Sequence, residues 1–172
     1  DLGKEHQMVL ELRPAHDPRK AYGFASVVIS LVDLSSSIFL WYLDRAGDGE
    51  GTWKARKVIT IPAEPADEAD LPPALKPFKA VPPLVTDINL SVDDRFLYVS
   101  CFGTGEFIQY DVSDPFHPKR VSSIRLGGIV SRAPHPRRPG QLLNGGPQMV
   151  EISRDGNRIY FTNSLYTPWD DQ

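Results

Sequence analysis

Four histidines and one cysteine carry most of the metal-binding or redox chemistry available to this chain of 172 residues. Imidazole nitrogen and thiolate sulfur are the donors preferred by soft and borderline transition metals. His16 stands in "RPAHDP", with Asp17 beside it to orient the ring or accept its second N–H, as is common around metal-bound histidine. The plain alternative is a loop histidine that holds the turn before Pro18. His6 immediately precedes the strand-like "QMVLEL". His117, in "DPFHPK", reads as part of an outer turn, and His135, in "APHPRRPG", as a solvated loop residue. Cys101, in "YVSCFG", has no adjacent histidine or CxxC partner and is most simply a small buried hydrophobe. No phosphate-binding glycine loop, Ser/His/Asp order or HExxH pattern is present.

The elements that must position these residues repeat along the chain. "ISRDGNRIYFT" (152–162) reads as a strand, a turn at Asp155-Gly156 and a second strand. "LSVDDRFLYVS" (90–100) aligns with it without a gap, placing Asp93 on Asp155 and Tyr98 on Tyr160. The two tyrosines are expected to play equivalent roles, each packing its unit against a neighbour. "HQMVLEL" (6–12) matches "PQMVEI", and "IFLWYLDR" (38–45) is set against "EFIQYDVS" (106–113). Each full unit is four short strands rich in β-branched and aromatic residues, divided by Gly, Pro and Asp turns. Such units in series are blades of a β-propeller. The expected organisation is one all-β propeller segment of about two and a half antiparallel blades. Blade 1 covers about 6–61 and blade 2 about 85–127, with the start of a third at about 147–172. Two and a half blades cannot close a ring of at least about four, so the missing strands are expected in a longer chain. The expected strands run near 8–12, 24–30, 38–43, 54–61, 86–90, 96–101, 107–112, 120–126, 149–152 and 158–162.

Composition narrows the partners. An apolar fraction of 41% is enough for a core. A net charge of −3 and a pI near 5.8 argue against nucleic-acid binding. The longest apolar stretch is far too short to span a bilayer. The single cysteine excludes an internal disulfide framework and fits a reducing compartment, hence a cytoplasmic expectation. The 16 prolines concentrate in an acidic connector (62–84) and a basic, glycine-rich one (128–146). Loops of that length suggest either a lid or binding rim at the channel mouth, or disordered spacers.

"LSVDDRFLYVS", "QYDVSDP" and "GGPQM" together, in order with the flanking strands, resemble the selenium-binding protein family, the group that includes methanethiol oxidases. The resemblance covers nearly the whole chain except the proline-rich connectors, and the family's proteins are much longer. It implies a propeller and, in members that are enzymes, oxidation of methanethiol by oxygen to formaldehyde, hydrogen sulfide and hydrogen peroxide, with copper implicated. Periplasmic location is the alternative for a bacterial member of that kind. The selenium-bearing cysteine of the family lies upstream of this segment, so selenium binding is not assigned to Cys101.

For copper, the family pattern favours His16, since a His-Asp/Asn-Pro sequence stands at the matching place, with Asp17 behind it. Propeller geometry instead favours His6, at the start of an innermost strand bordering the channel mouth. His16 ranks first. The competing function is a non-catalytic propeller that offers its channel face to protein partners. Under either reading the segment alone is expected to be inactive. A small thiol is the expected substrate of the longer protein, and missing blades or a second copy are expected to cover the open edges.

Overall fold

The structure is a computed structural model that describes residues 5–46, 49–143 and 145–164. Strands β1 (His6–Pro14), β2 (Tyr22–Ser30), β3 (Ser36–Asp44) and β4 (Thr52–Ile61) pair in that order as one antiparallel sheet, blade 1. The first connector carries the short pair β5 (Glu64–Pro65) and β6 (Ala80–Val81), with a 3-10 turn at Lys76–Phe78 between them. Blade 2 repeats the four-stranded order with β7 (Val85–Leu90), β8 (Phe96–Cys101), β9 (Glu106–Asp111) and β10 (Lys119–Arg125). After the pair β11 (Ala133–Pro134) and β12 (Leu142–Leu143), a ribbon of β13 (Gly146–Ile152) and β14 (Ile159–Ser164) follows. All ten expected strands are present, with ends shifted by three residues or fewer. The fold is an all-β partial propeller whose sheets are open. No helix among the described residues is long and apolar enough to cross a membrane.

The turns of the two matching hairpins share their main side-chain hydrogen bonds. Ser91 Oγ accepts from the Phe96 N–H (2.9 Å) and donates to Asp93 Oδ1 (2.6 Å). Ser153 Oγ accepts from the Arg158 N–H (3.0 Å) and donates to Asp155 Oδ1 (2.5 Å). One residue in each turn is left-handed: Asp94 (φ 61°) and Gly156 (φ 71°). Glycine takes that conformation without steric cost, whereas aspartate takes it only at some strain.

The main core lies between the two blades. Phe24, Ile38, Leu40, Ile59 and Ile61 of blade 1 meet Ile88, Leu97, Val99, Cys101, Ile108 and Tyr110 of blade 2. This geometry corrects the sequence register of the third strands. Leu40 and Ile108 share one core, so Leu40 points forward toward blade 2 while Ile108 points back toward blade 1. Equivalent residues of successive blades point the same way, which makes Phe39 the counterpart of Ile108. The cross-strand pairs Ala25–Phe39 and Val99–Ile108 agree. A slip of one residue reverses every side chain of a strand, and a gapless alignment of apolar strands does not reveal it.

The forward faces show where cover ends. Phe24, Tyr98 and Tyr160 are counterparts, paired with Arg13, Asn89 and Glu151. Phe24 is fully buried by blade 2. Tyr98 borders the gap to the Asp155-Gly156 turn and stacks on Phe107, which in turn meets Phe161 of the ribbon. Tyr160 is 56% exposed, since no further sheet among the described residues packs on it. The expected packing role therefore holds for Tyr98 and is not realised for Tyr160 in this chain.

The described parts of both connectors carry short strand pairs and are tied to the blades by hydrogen bonds near their ends. Leu126 N donates to Gly105 O, and Ile129 N to Gly103 O, stitching the second connector to the β8–β9 turn. A Cβ at Gly105 (φ 72°) would run into the Gly127 carbonyl, so only glycine permits this approach. Arg125, at the end of blade 2, reaches Glu64 in the first connector at 2.6 Å.

Replacing fully buried Leu97 with alanine should lower the unfolding free energy of this chain in urea by about 2–5 kcal/mol. Tyr160→Ala should change it by less than about 0.5 kcal/mol, as for exposed sites away from special features. Equal losses at the two positions would contradict the assignment of covered and open faces.

Candidate functional site

His16 sits in the loop between β1 and β2, and its place is set by the neighbouring blade. Asp94, in the β7–β8 turn, sends its carboxylate across the blade boundary. Asp94 Oδ1 accepts from the His16 backbone N–H (2.7 Å) and lies 3.0 Å from ring Nδ1. Its Oδ2 accepts from the Asp17 N–H (3.2 Å) and from Lys20 Nζ (3.1 Å). The Asp94 side chain is only 2% exposed, while that of His16 is 48% exposed. Burial pushes the Asp94 carboxyl up, but the backbone N–H groups of His16 and Asp17, the ring and the Lys20 ammonium outweigh it and hold it below the usual carboxylate range.

The carboxylate behind the His16 ring is thus Asp94, not the adjacent Asp17. Both oxygens of Asp17 bond to Arg19, at 2.9–3.0 Å, and those hydrogen bonds hold its carboxyl down to about 2. Consecutive residues in this loop diverge, so adjacency in sequence does not become contact. The one sequence signal for Asp94 was its position, the left-handed site that Gly156 fills in the other copy.

His6 lies at the other end of β1. Nine residues of strand at about 3.3 Å each put roughly 26 Å between the ends, so His6 and His16 cannot share one ion. The His6 ring is nearly buried, edge-on to Phe39 with centroids 5.3 Å apart, and its Nε2 is 3.3 Å from Glu5 Oε1. Its Nδ1 is buried and has no hydrogen-bond partner among the described residues. His6 borders a groove with Phe39, Trp41, Trp53 and Lys57 on the face of blade 1 turned away from blade 2. His117 bonds Asp114 in an exposed turn, and His135 Nδ1 accepts from the Arg137 N–H in the second connector. Among the described residues, no group of three or more His, Cys, Asp or Glu side chains could hold a metal ion. His16 fits the role of one imidazole ligand, with Nδ1 held and Nε2 left over. A complete copper site is not assembled by these residues.

A second carboxylate, that of Asp87 on β7, joins three innermost strands. Arg13 Nη2 lies 3.3 Å from its Oδ1, and the Val150 N–H donates to its Oδ2 at 2.6 Å. Burial raises its pKa, against the opposing pull of the Val150 N–H and the Arg13 charge.

The family described as 56kDa selenium binding protein (SBP56) matches residues 1–172. This chain belongs to that family. The selenium-binding family includes relatives named methanethiol oxidase, 39% identical in Xenopus tropicalis over 187 residues and 37% in Homo sapiens over 184. These alignments take in 100% and 98% of this chain but 36% of each relative, so the chain spans about a third of their length. The X-ray structure of a hypothetical selenium-binding protein from Sulfolobus tokodaii superposes with a TM-score of 0.87 at 59% identity. It is matched over 99% of this chain and 36% of its own.

Within this family segment, Cys101 is a core residue and no reactive thiol. It is fully buried, and desolvation drives its pKa far above the ordinary thiol value. An aromatic disulfide reagent should therefore leave the native chain unmodified and titrate one thiol after unfolding. Modification of the native chain at the rate of a free thiol would contradict the placement.

Proposed function

We propose that this chain supplies scaffold and one copper ligand to a methanethiol oxidase. In the longer protein, methanethiol, oxygen and water give formaldehyde, hydrogen sulfide and hydrogen peroxide, so that carbon is oxidised, the C–S bond breaks and oxygen takes the two electrons. Family membership and the relatives named methanethiol oxidase support the reading. The observation that carries it in this chain is the His16 ring, held through Nδ1 by a buried carboxylate with Nε2 left for a ligand. Copper, when bound, supplies electron transfer between thiol and oxygen. The remaining ligands come from outside the described residues; His6, too distant to share the ion, is the alternative to His16, and Asp17 is reduced to holding Arg19. Further blades of the longer protein cover Tyr160 on one open face and Trp53 on the other, each more than half exposed here.

In the longer protein, His16→Ala should lower copper per protein and methanethiol-dependent peroxide release together. The loss should exceed the roughly 10–100-fold typical of residues that only support a ligand. His117→Ala should leave both unchanged, and circular dichroism should show every variant folded. Copper lost in His6→Ala but kept in His16→Ala would transfer the role to His6. Full copper in both would remove this segment from the metal site, and a protein without peroxide release would be the non-catalytic propeller.

A further inference from the structure

We infer that Asp94 is a positioning residue that fixes the His16 ring in the Nδ1–H tautomer and presents Nε2 outward as the ligand atom. The turn that holds Asp94 is duplicated in the β13–β14 hairpin with the same serine and aspartate bonds, and there the left-handed residue is Gly156. Glycine is the unstrained choice, so the turn itself does not require aspartate. Aspartate takes that conformation less readily than glycine, and what its side chain binds accounts for its presence. That reason is visible on the far side of the blade boundary, where one buried carboxylate receives two backbone N–H groups, an ammonium and an imidazole.

The tautomer follows from donor counting. An ionised carboxylate only accepts, so the His16 nitrogen 3.0 Å from Oδ1 must carry the proton. In the neutral ring the lone pair is then on Nε2. The backbone bonds from His16 and Asp17 fix where the ring begins, and the Nδ1 bond fixes its rotation. Lys20, 39% exposed, closes the other oxygen. Asp94 touches neither substrate nor metal and acts through His16.

The value of this arrangement to copper rests on the reading of His16 as a ligand, but the tautomer can be read without metal. The test uses the longer protein, metal-free, with 15N-labelled histidine. At about pH 8.5, well above the ordinary histidine pKa, the His16 signal (identified by its loss in His16→Ala) should report Nδ1–H. Asp94→Gly places in the turn the residue that its twin already uses, so the variant should fold, with a thermal midpoint lowered by the loss of the inter-blade hydrogen bonds. Its His16 signal should move to the Nε2–H form or to a mixture, and copper affinity should fall about 10–100-fold. If Asp94→Gly fails to fold, Asp94→Leu serves in its place, with no acceptor oxygen. An Nε2–H ring in the unmutated protein overturns the inference, as does a tautomer unchanged in Asp94→Gly. Copper retained in His16→Ala instead defeats the ligand reading, while the tautomer result still decides whether Asp94 orients the ring.

Discussion

Among the described residues no backbone ladder joins blade 1 to blade 2, so apart from the connector between them their alignment rests on contacts in which side chains take part. The sheets are separate, and β7 lies between β1 and β2 on one side and β13 on the other. Apolar side chains provide most of the adhesion, but burial of apolar area has no direction. Much of the direction comes from two carboxylates of blade 2 that reach out of their own sheet, beside hydrogen bonds such as that from the Val85 N–H to Ser36 Oγ. Asp87 fixes Arg13 of blade 1 and the Val150 N–H of the ribbon, near the innermost strands. Asp94 fixes the His16 loop at the end of the same strands. A buried carboxylate left without its donors costs more than the pair contributes when made, so these contacts select one blade-to-blade geometry.

That division of labour places the candidate chemistry at a seam. A hairpin loop on a single blade would leave the His16 ring free to rotate, since its own neighbour Asp17 is committed to Arg19. The adjacent blade supplies the missing constraint. A strained left-handed aspartate is tolerable at Asp94 because four donors converge on it, whereas the equivalent turn in the ribbon has no such partners and uses glycine. The glycine-on-glycine approach of Gly105 to Gly127 has a related effect, bringing the second connector down onto blade 2.

Much of this was legible in the sequence. Period-two strands, Asp-Gly turns and the ungapped match of two hairpins gave every main strand, because hairpin structure is local and its turn residues have specific conformational reasons. His16 was legible as a candidate ligand. Its true carboxylate was not, because Asp94 lies 78 residues away and reaches it only once two sheets are packed. The facing of β3 was lost for a different reason. Phe39 and Leu40 are both apolar and both faces of the strand are covered, so composition contains no record of which side is which. Burial of Tyr160 depends on what lies beyond it, and no pattern inside the hairpin carries that information.

The central claim is that a side chain set by an inter-blade contact, His16, is bound to the copper of the longer protein. Pulsed electron paramagnetic resonance of the copper-loaded protein counts directly coordinated imidazoles through the coupling of their remote nitrogens. The account predicts one fewer imidazole in a His16→Gln variant whose propeller remains folded. An unchanged imidazole count in that variant would contradict it.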